Sequence, residues 1–186
     1  MNSIETMVKE HDNILAFLKA VKNASLEIME GAEPDTQDFR KMIDFVRTYA
    51  DGHHHGKEEK ILFVHMLEHL GKIGTNLITH GMLVEHDLGR LYMSDLEKAL
   101  ASYDENPSTE AKLEIVANAA GYANLLQRHI DKENDLVFKY AEKNLPPASL
   151  KTVNEETEKF EKDAMEKGTV DKYMKLLAEM SAKYKR

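Results

Sequence analysis

The sequence contains no cysteine. That excludes disulfides, thiolate metal ligands and thiol chemistry, and it fits a cytoplasmic setting. Proline and glycine are scarce, at four and nine residues, and fall mostly where helices need breaks. No apolar run approaches the roughly 18 residues of a membrane span, and the N-terminus lacks a signal-peptide pattern. There is no low-complexity tract and no sustained alternation of the kind strands show. A basic stripe is also missing. With a formal charge of −8, the chain is a poor partner for nucleic acid or an anionic membrane.

What is present is helical pattern. With 42% apolar and 31% charged residues over 186 positions, the chain suits one soluble domain with a sizeable core and room for an appendage. A first helix is expected over 3–30, with Asn2 as cap and Glu5 three residues on. A second is expected over 35–70, ended by Gly71 and Gly74. A third runs over 75–103, stopped by "DENPS". A fourth starts after a Ser108 cap and ends at "NLPP". Short connections make neighbours antiparallel, so the expected fold is all-α: an up-down antiparallel four-helix bundle over 1–145. Residues 146–186 form a C-terminal helical extension in two amphipathic segments, split at Gly168. Its stripe of Leu150, Val153, Phe160, Tyr173, Leu177 and Met180 packs on the bundle or forms an oligomer contact.

The ligand-type residues lie on the inward seams. Steps of four and three along the fourth helix give Ile115, Ala119, Tyr122, Leu126, His129, Glu133, Leu136 and Tyr140. The same rule gives Ile4, Val8, His11, Leu15 and Leu18 on the first helix. On the third it gives Met82, His86, Gly89, Met93, Leu96 and Leu100. The second is less regular, with Ile43, Val46, Ala50, His54, Glu58, Ile61 and His65. All four helices then bring a histidine to about the same depth. A buried imidazole needs only a hydrogen-bond partner, but two buried carboxylates are costly unless paired or bound to a cation. His11, His54, Glu58, His86, His129 and Glu133 together suit one or two divalent metals, with iron, manganese or zinc favoured over calcium or magnesium. The recurrence of His-x-x-x-Glu on two helices suggests a dinuclear centre. It is not the Glu-x-x-His order of ferritin-like di-iron bundles, and the zinc-protease string HExxH is absent.

The strings "KEHDNI", "HHHGKEEKILF", "MLVEHDLGR" and "RHIDKENDLVF" resemble the hemerythrin-like (HHE cation-binding) family over roughly residues 1–145. The resemblance implies two non-haem iron ions, oxo- or hydroxo-bridged, held by His11, His54, Glu58, His86, His129 and Glu133. It also implies a small gas or peroxide as ligand, with oxygen and nitric oxide the gases in question. Reactivity as an oxidoreductase is one outcome. Iron-responsive sensing or iron handling through a partner is the alternative. One departure stands out. Oxygen-carrying members have a further histidine one turn before the third-helix ligand, where this chain has Met82. His80, His53, Tyr122 or water are the candidates for that position, and an open position favours redox reactivity over reversible oxygen carriage. His53, His55 and Glu59 are expected beside the site and not in it. Lys57 and Glu59 are expected to be solvated, and Lys132 and Asn134 exposed. His65 and His69 are expected to be structural. Glu10 and Glu85, each preceding a candidate ligand, are placed to hydrogen-bond a neighbouring imidazole.

Overall fold

The computed structural model describes residues 2–186, and every element in that range is helical. Helix α1 is Ser3–Met29, and its Asn2 and Glu5 close a reciprocal capping box. Helix α2 covers 36–69. Its first segment is Thr36–Phe45, opened by the Asp35 side chain accepting from the Asp38 amide. Two π-helical stretches follow, Val46–His55 and Glu58–Leu62, and then Phe63–His69. Helix α3 covers 71–105, with a π-helical turn at Ile78–Met82 before Leu83–Glu105. It begins at Gly71, whose φ of +55° makes the reversal that an L side chain would resist. Gly74 lies inside the helix and not at a break. Helix α4 covers 109–144, capped by Ser108 and interrupted by a π-helical turn at Glu133–Val137. Helices α5, Pro147–Glu166, and α6, Thr169–Lys183, form the extension. Gly168, at φ +66°, joins them.

Helix α4 packs on α1 and α3, and α2 packs on α3. Helices α5 and α6 lie against α1 and α2. The extension is therefore part of the same packed body. Val153, Tyr173 and Met180 are buried in it, and Phe160, Leu150 and Leu177 are half-buried.

The core is divided in two along its length. One apolar cluster takes α1 from Ile14 onward, α2 up to Ala50, α3 from Met93 and α4 up to Ile130. The other takes Ile4 and Met7, α2 from Ile61 to Met66, Ile78 and Met82, and α4 from Val137. Between them on each helix lies one polar layer: His11, His54 to Glu58, His86, and His129 with Glu133. Apolar clusters on both sides keep that layer out of bulk water, which makes its chemistry strongly dependent on internal partners.

The π-helical turns shift the seams. An i→i+5 turn is wider than an α turn and rotates everything downstream of it. On α4, Leu136 turns out to solvent and Val137 takes the inward place. On α2, Met66 is buried where a uniform helix would place His65. On α1, which has no such turn, Met7 is buried and Val8 is exposed. That one-residue difference reflects how α1 is rolled against its neighbours.

Candidate metal centre

The six residues expected to gather do so. His11, His54, Glu58 and Glu133 bring ligand atoms within 4.8 Å of one another, and so do His55, Glu58, His86 and His129. All seven are buried. The member that sequence spacing missed is His55. It follows His54 directly, and a regular helix would turn it away. The π-helical stretch Val46–His55 brings both inward instead. Its ring stacks on that of His86 at 3.8 Å and 6°.

Each of the five histidines is held by Nδ1. His11 Nδ1 lies 2.8 Å from Asn134 Oδ1, and His54 Nδ1 lies 2.8 Å from Glu10 Oε2. His55 Nδ1 lies 3.2 Å from Asp51 Oδ1, and His86 Nδ1 lies 2.7 Å from Glu59 Oε1. His129 Nδ1 lies 2.9 Å from Glu85 Oε2. Every partner is an oxygen acceptor, so Nδ1 carries the proton in each ring. A neutral ring of that tautomer has a lone pair at Nε2, turned to the layer's centre. Glu10 and Glu85 both make the imidazole hydrogen bond that their places next to candidate ligands allow. Glu59 and Asn134 were expected in solvent but hold imidazoles, because the turns that carry them are π-helical or adjoin π-helical turns.

The inward nitrogens come in close pairs. His11 and His54 place their Nε2 atoms 2.8 Å apart, and those of His86 and His129 are 3.0 Å apart. Two nitrogens at that distance need a proton or a metal ion between their lone pairs. Two nitrogens about 2.05 Å from one metal and at right angles are about 2.9 Å apart, whereas a tetrahedral ion spreads them to about 3.3 Å. The spacing is thus short enough for both nitrogens of a pair to reach one metal ion.

The carboxylates complete the argument. None of the four side-chain oxygens of Glu58 and Glu133 has a hydrogen-bond partner, though both residues are fully buried. Glu58 lies between the pairs, with one oxygen 3.5 Å from His54 Nε2 and the other 3.6 Å from His86 Nε2. Glu133 does the same, at 3.3 Å from His11 Nε2 and 3.2 Å from His129 Nε2. Burial, and then the charge of Glu133, push the Glu58 carboxyl well above the ordinary carboxylate range. Burial also opposes ionisation of Glu133, but His129 and His11 outweigh it and hold that carboxyl well below its ordinary value. Two carboxylates in one dry layer cannot both ionise unless cations join them. Burial, with the charge of His11 adding to it, holds His54 down at about 4, so its imidazole is neutral and able to ligate. Burial lowers His129 too, but Glu133 and Glu85 outweigh it and raise the group to about 9, so in the metal-free layer this ring also carries a proton at Nε2, toward His86, which a bound metal would displace.

A family model, the hemerythrin HHE cation-binding domain, matches residues 2–141. The chain belongs to that family. The matched span holds every one of the seven buried ligand-type residues, and the HHE-domain chain continues beyond it through α5 and α6. Neither the curated proteins nor the solved structures provide a match. A metal-binding helical domain follows from the family and from the buried His and Glu clusters together.

The positions around Met82 are also placed. Met82 is buried among apolar side chains, and His80 is exposed. His53 Nε2 faces Glu10 at 3.0 Å, away from the layer's centre. Tyr122 is buried against Gly89 and lines a cavity of about 280 Å³ that reaches His55 and His86. Lys57, expected to be solvated, is fully buried beside Glu10. No helix among the described residues is long and apolar enough to cross a membrane.

Proposed function

We propose that α1 to α4 form an up-down four-helix bundle over 1–145 that holds two non-haem iron ions, with 146–186 as an added helical hairpin. His55, His86 and His129 would hold one ion and His11 and His54 the other, with Glu58 and Glu133 able to reach both. The observation that carries this is the set of four orphaned carboxylate oxygens facing two close imidazole pairs. His55, from α2, takes the place of the histidine that Met82 replaces on α3. Counting donors, the first position has three nitrogens and two oxygens, and the second has two nitrogens and two oxygens. The second has one protein donor fewer and so more room for an added ligand.

When bound, such a centre supplies two-electron redox chemistry toward a small oxidant or gas: oxygen, peroxide or nitric oxide. The chain's own part is to hold each imidazole as a neutral donor through its Nδ1 partner. It also keeps the carboxylates ionised between the cations and shields the layer with apolar clusters on both sides. Binding a small oxidant or gas, with or without turnover, is the reading these features support best. Metal analysis after anaerobic purification tests it. Two iron per chain and oxo-bridged ferric bands on adding oxygen are the expected result, whereas one iron or none overturns the dinuclear centre. A reversible oxy form would assign carriage, and turnover of peroxide or nitric oxide would assign an oxidoreductase.

A further inference from the structure

The C-terminal hairpin reaches the proposed metal centre through a charged strut. Lys57, on α2, has a fully buried side chain. Its ammonium bonds to Glu10 Oε1 on α1 and to Glu161 Oε1 on α5, and it lies 3.1 Å from His53 Nε2. Glu10 is shared. One of its oxygens takes Lys57 and His53, and the other holds His54 Nδ1 at 2.8 Å. Phe160, the residue before Glu161, covers the cluster, with Lys57 Nζ 5.9 Å from its ring centre. Glu161 itself is 30% exposed, the only member of the chain Glu161–Lys57–Glu10–His54 that meets solvent to that degree. It also lies outside the residues that the family model matches.

We infer that Glu161 is a positioning residue for the metal at the His11 and His54 position, acting through Lys57 and Glu10 on the His54 imidazole. The inference rests on the dinuclear reading above. The physics is a competition for one ammonium. Lys57 divides its charge between two carboxylates. With Glu161 present, Glu10 is only partly neutralised and pulls strongly on the Nδ1 proton of His54, which makes Nε2 a better donor. Without the charge on Glu161, Lys57 belongs to Glu10 alone. The pull on His54 weakens, and so does the hold on the metal. The hairpin thus adjusts one of the two metals from a distance, and the three-histidine position has no such link.

The test is iron release from the ferrous, two-iron protein to an excess of a ferrous chelator, for wild type, E161Q and K172A. Lys172 holds α6 to Asp44 and does not touch the strut. In E161Q, release of one of the two irons should quicken about tenfold, the lower end of what losing an outer-shell partner costs. The other iron and the K172A variant should keep wild-type rates. Release from E161Q at the wild-type rate would overturn this inference alone. Equal quickening of both irons in both variants would also overturn it, since looser docking of the hairpin would then be the cause. A wild-type chain holding fewer than two irons would overturn the metal reading and this inference with it.

Discussion

Replacing His55 with Ala separates the proposed ligand set from the one that sequence spacing alone suggests. His55 and His86 stack at 3.8 Å, and Asp51 orients His55 Nδ1. Removing the ring takes the first metal position from five protein donors to four. Loss of an outer-shell partner alone costs about 10–100-fold in metal affinity, so loss of a direct donor should cost about 100-fold or more. At a free metal level that saturates both sites, a 100-fold difference in dissociation constant leaves the variant with about 2.7 kcal/mol less added stability than wild type. For a chain of this size each kcal/mol moves Tm by about 2–4 °C, so H55A should melt about 5–11 °C below wild type when both are loaded. Without metal the two should differ far less. The measurement is a thermal melt of loaded and chelator-treated protein, with iron counted in each sample. H53A is the control, because His53 faces Glu10 and not the layer's centre. It should keep both irons. If H55A kept two irons and the full metal-dependent gain in Tm, His55 would not be a ligand and the donor count would be wrong.

Glu58→Gln should act oppositely on the two forms. It should lose iron, yet in metal-free protein it should stabilise the fold at neutral pH. The buried carboxyl has its pKa raised well above 4.5, so the native state binds more protons than the unfolded state above that pH, and metal-free stability falls as pH rises through that window. Chemical denaturation of metal-free wild type and E58Q between pH 4.5 and 8 checks this, and parallel pH profiles would refute it. Glu85→Ala frees His129 Nδ1 and should weaken iron binding by about 10–100-fold, measured by competition with a chelator. Leu136→Lys should leave iron content and melting temperature near wild type because Leu136 is exposed, whereas Val137→Lys should unfold the chain.

Much of this was legible from spacing. Asn2, Ser108 and the breaks at "GAEPD" and "DENPS" act locally, so cap chemistry places those helix ends well. His11 and the His129–Glu133 pair follow from steps of three and four because the helix upstream of each holds phase, and His86 follows because the helix downstream of it is regular to Glu105. What failed, failed mostly at the π-helical turns. His55, Val137 and Met66 are all inward for the same reason. A single inserted hydrogen-bond step changes the facing of everything beyond it, and no residue type announces it. Lys57 was hidden for a different cause. Its partners Glu10 and Glu161 lie 47 and 104 residues away, so only the packed structure brings opposite charge to it.

The π-helical turns also bear on how the protein moves. A π-helical turn is a rare interruption of the α-helical ladder, found often at functional sites, and local opening is expected to start at such places. Three of the four, Val46–His55, Glu58–Leu62 and Glu133–Val137, carry ligand-type residues at their edges or within them. Metal would act there as a splint across backbone that is otherwise the softest part of each long helix. Amide exchange should therefore be slow throughout α2 and α4 in the loaded protein. After chelation it should quicken first in the middle of α2 and near 133–137, so that the site loosens before the termini fray.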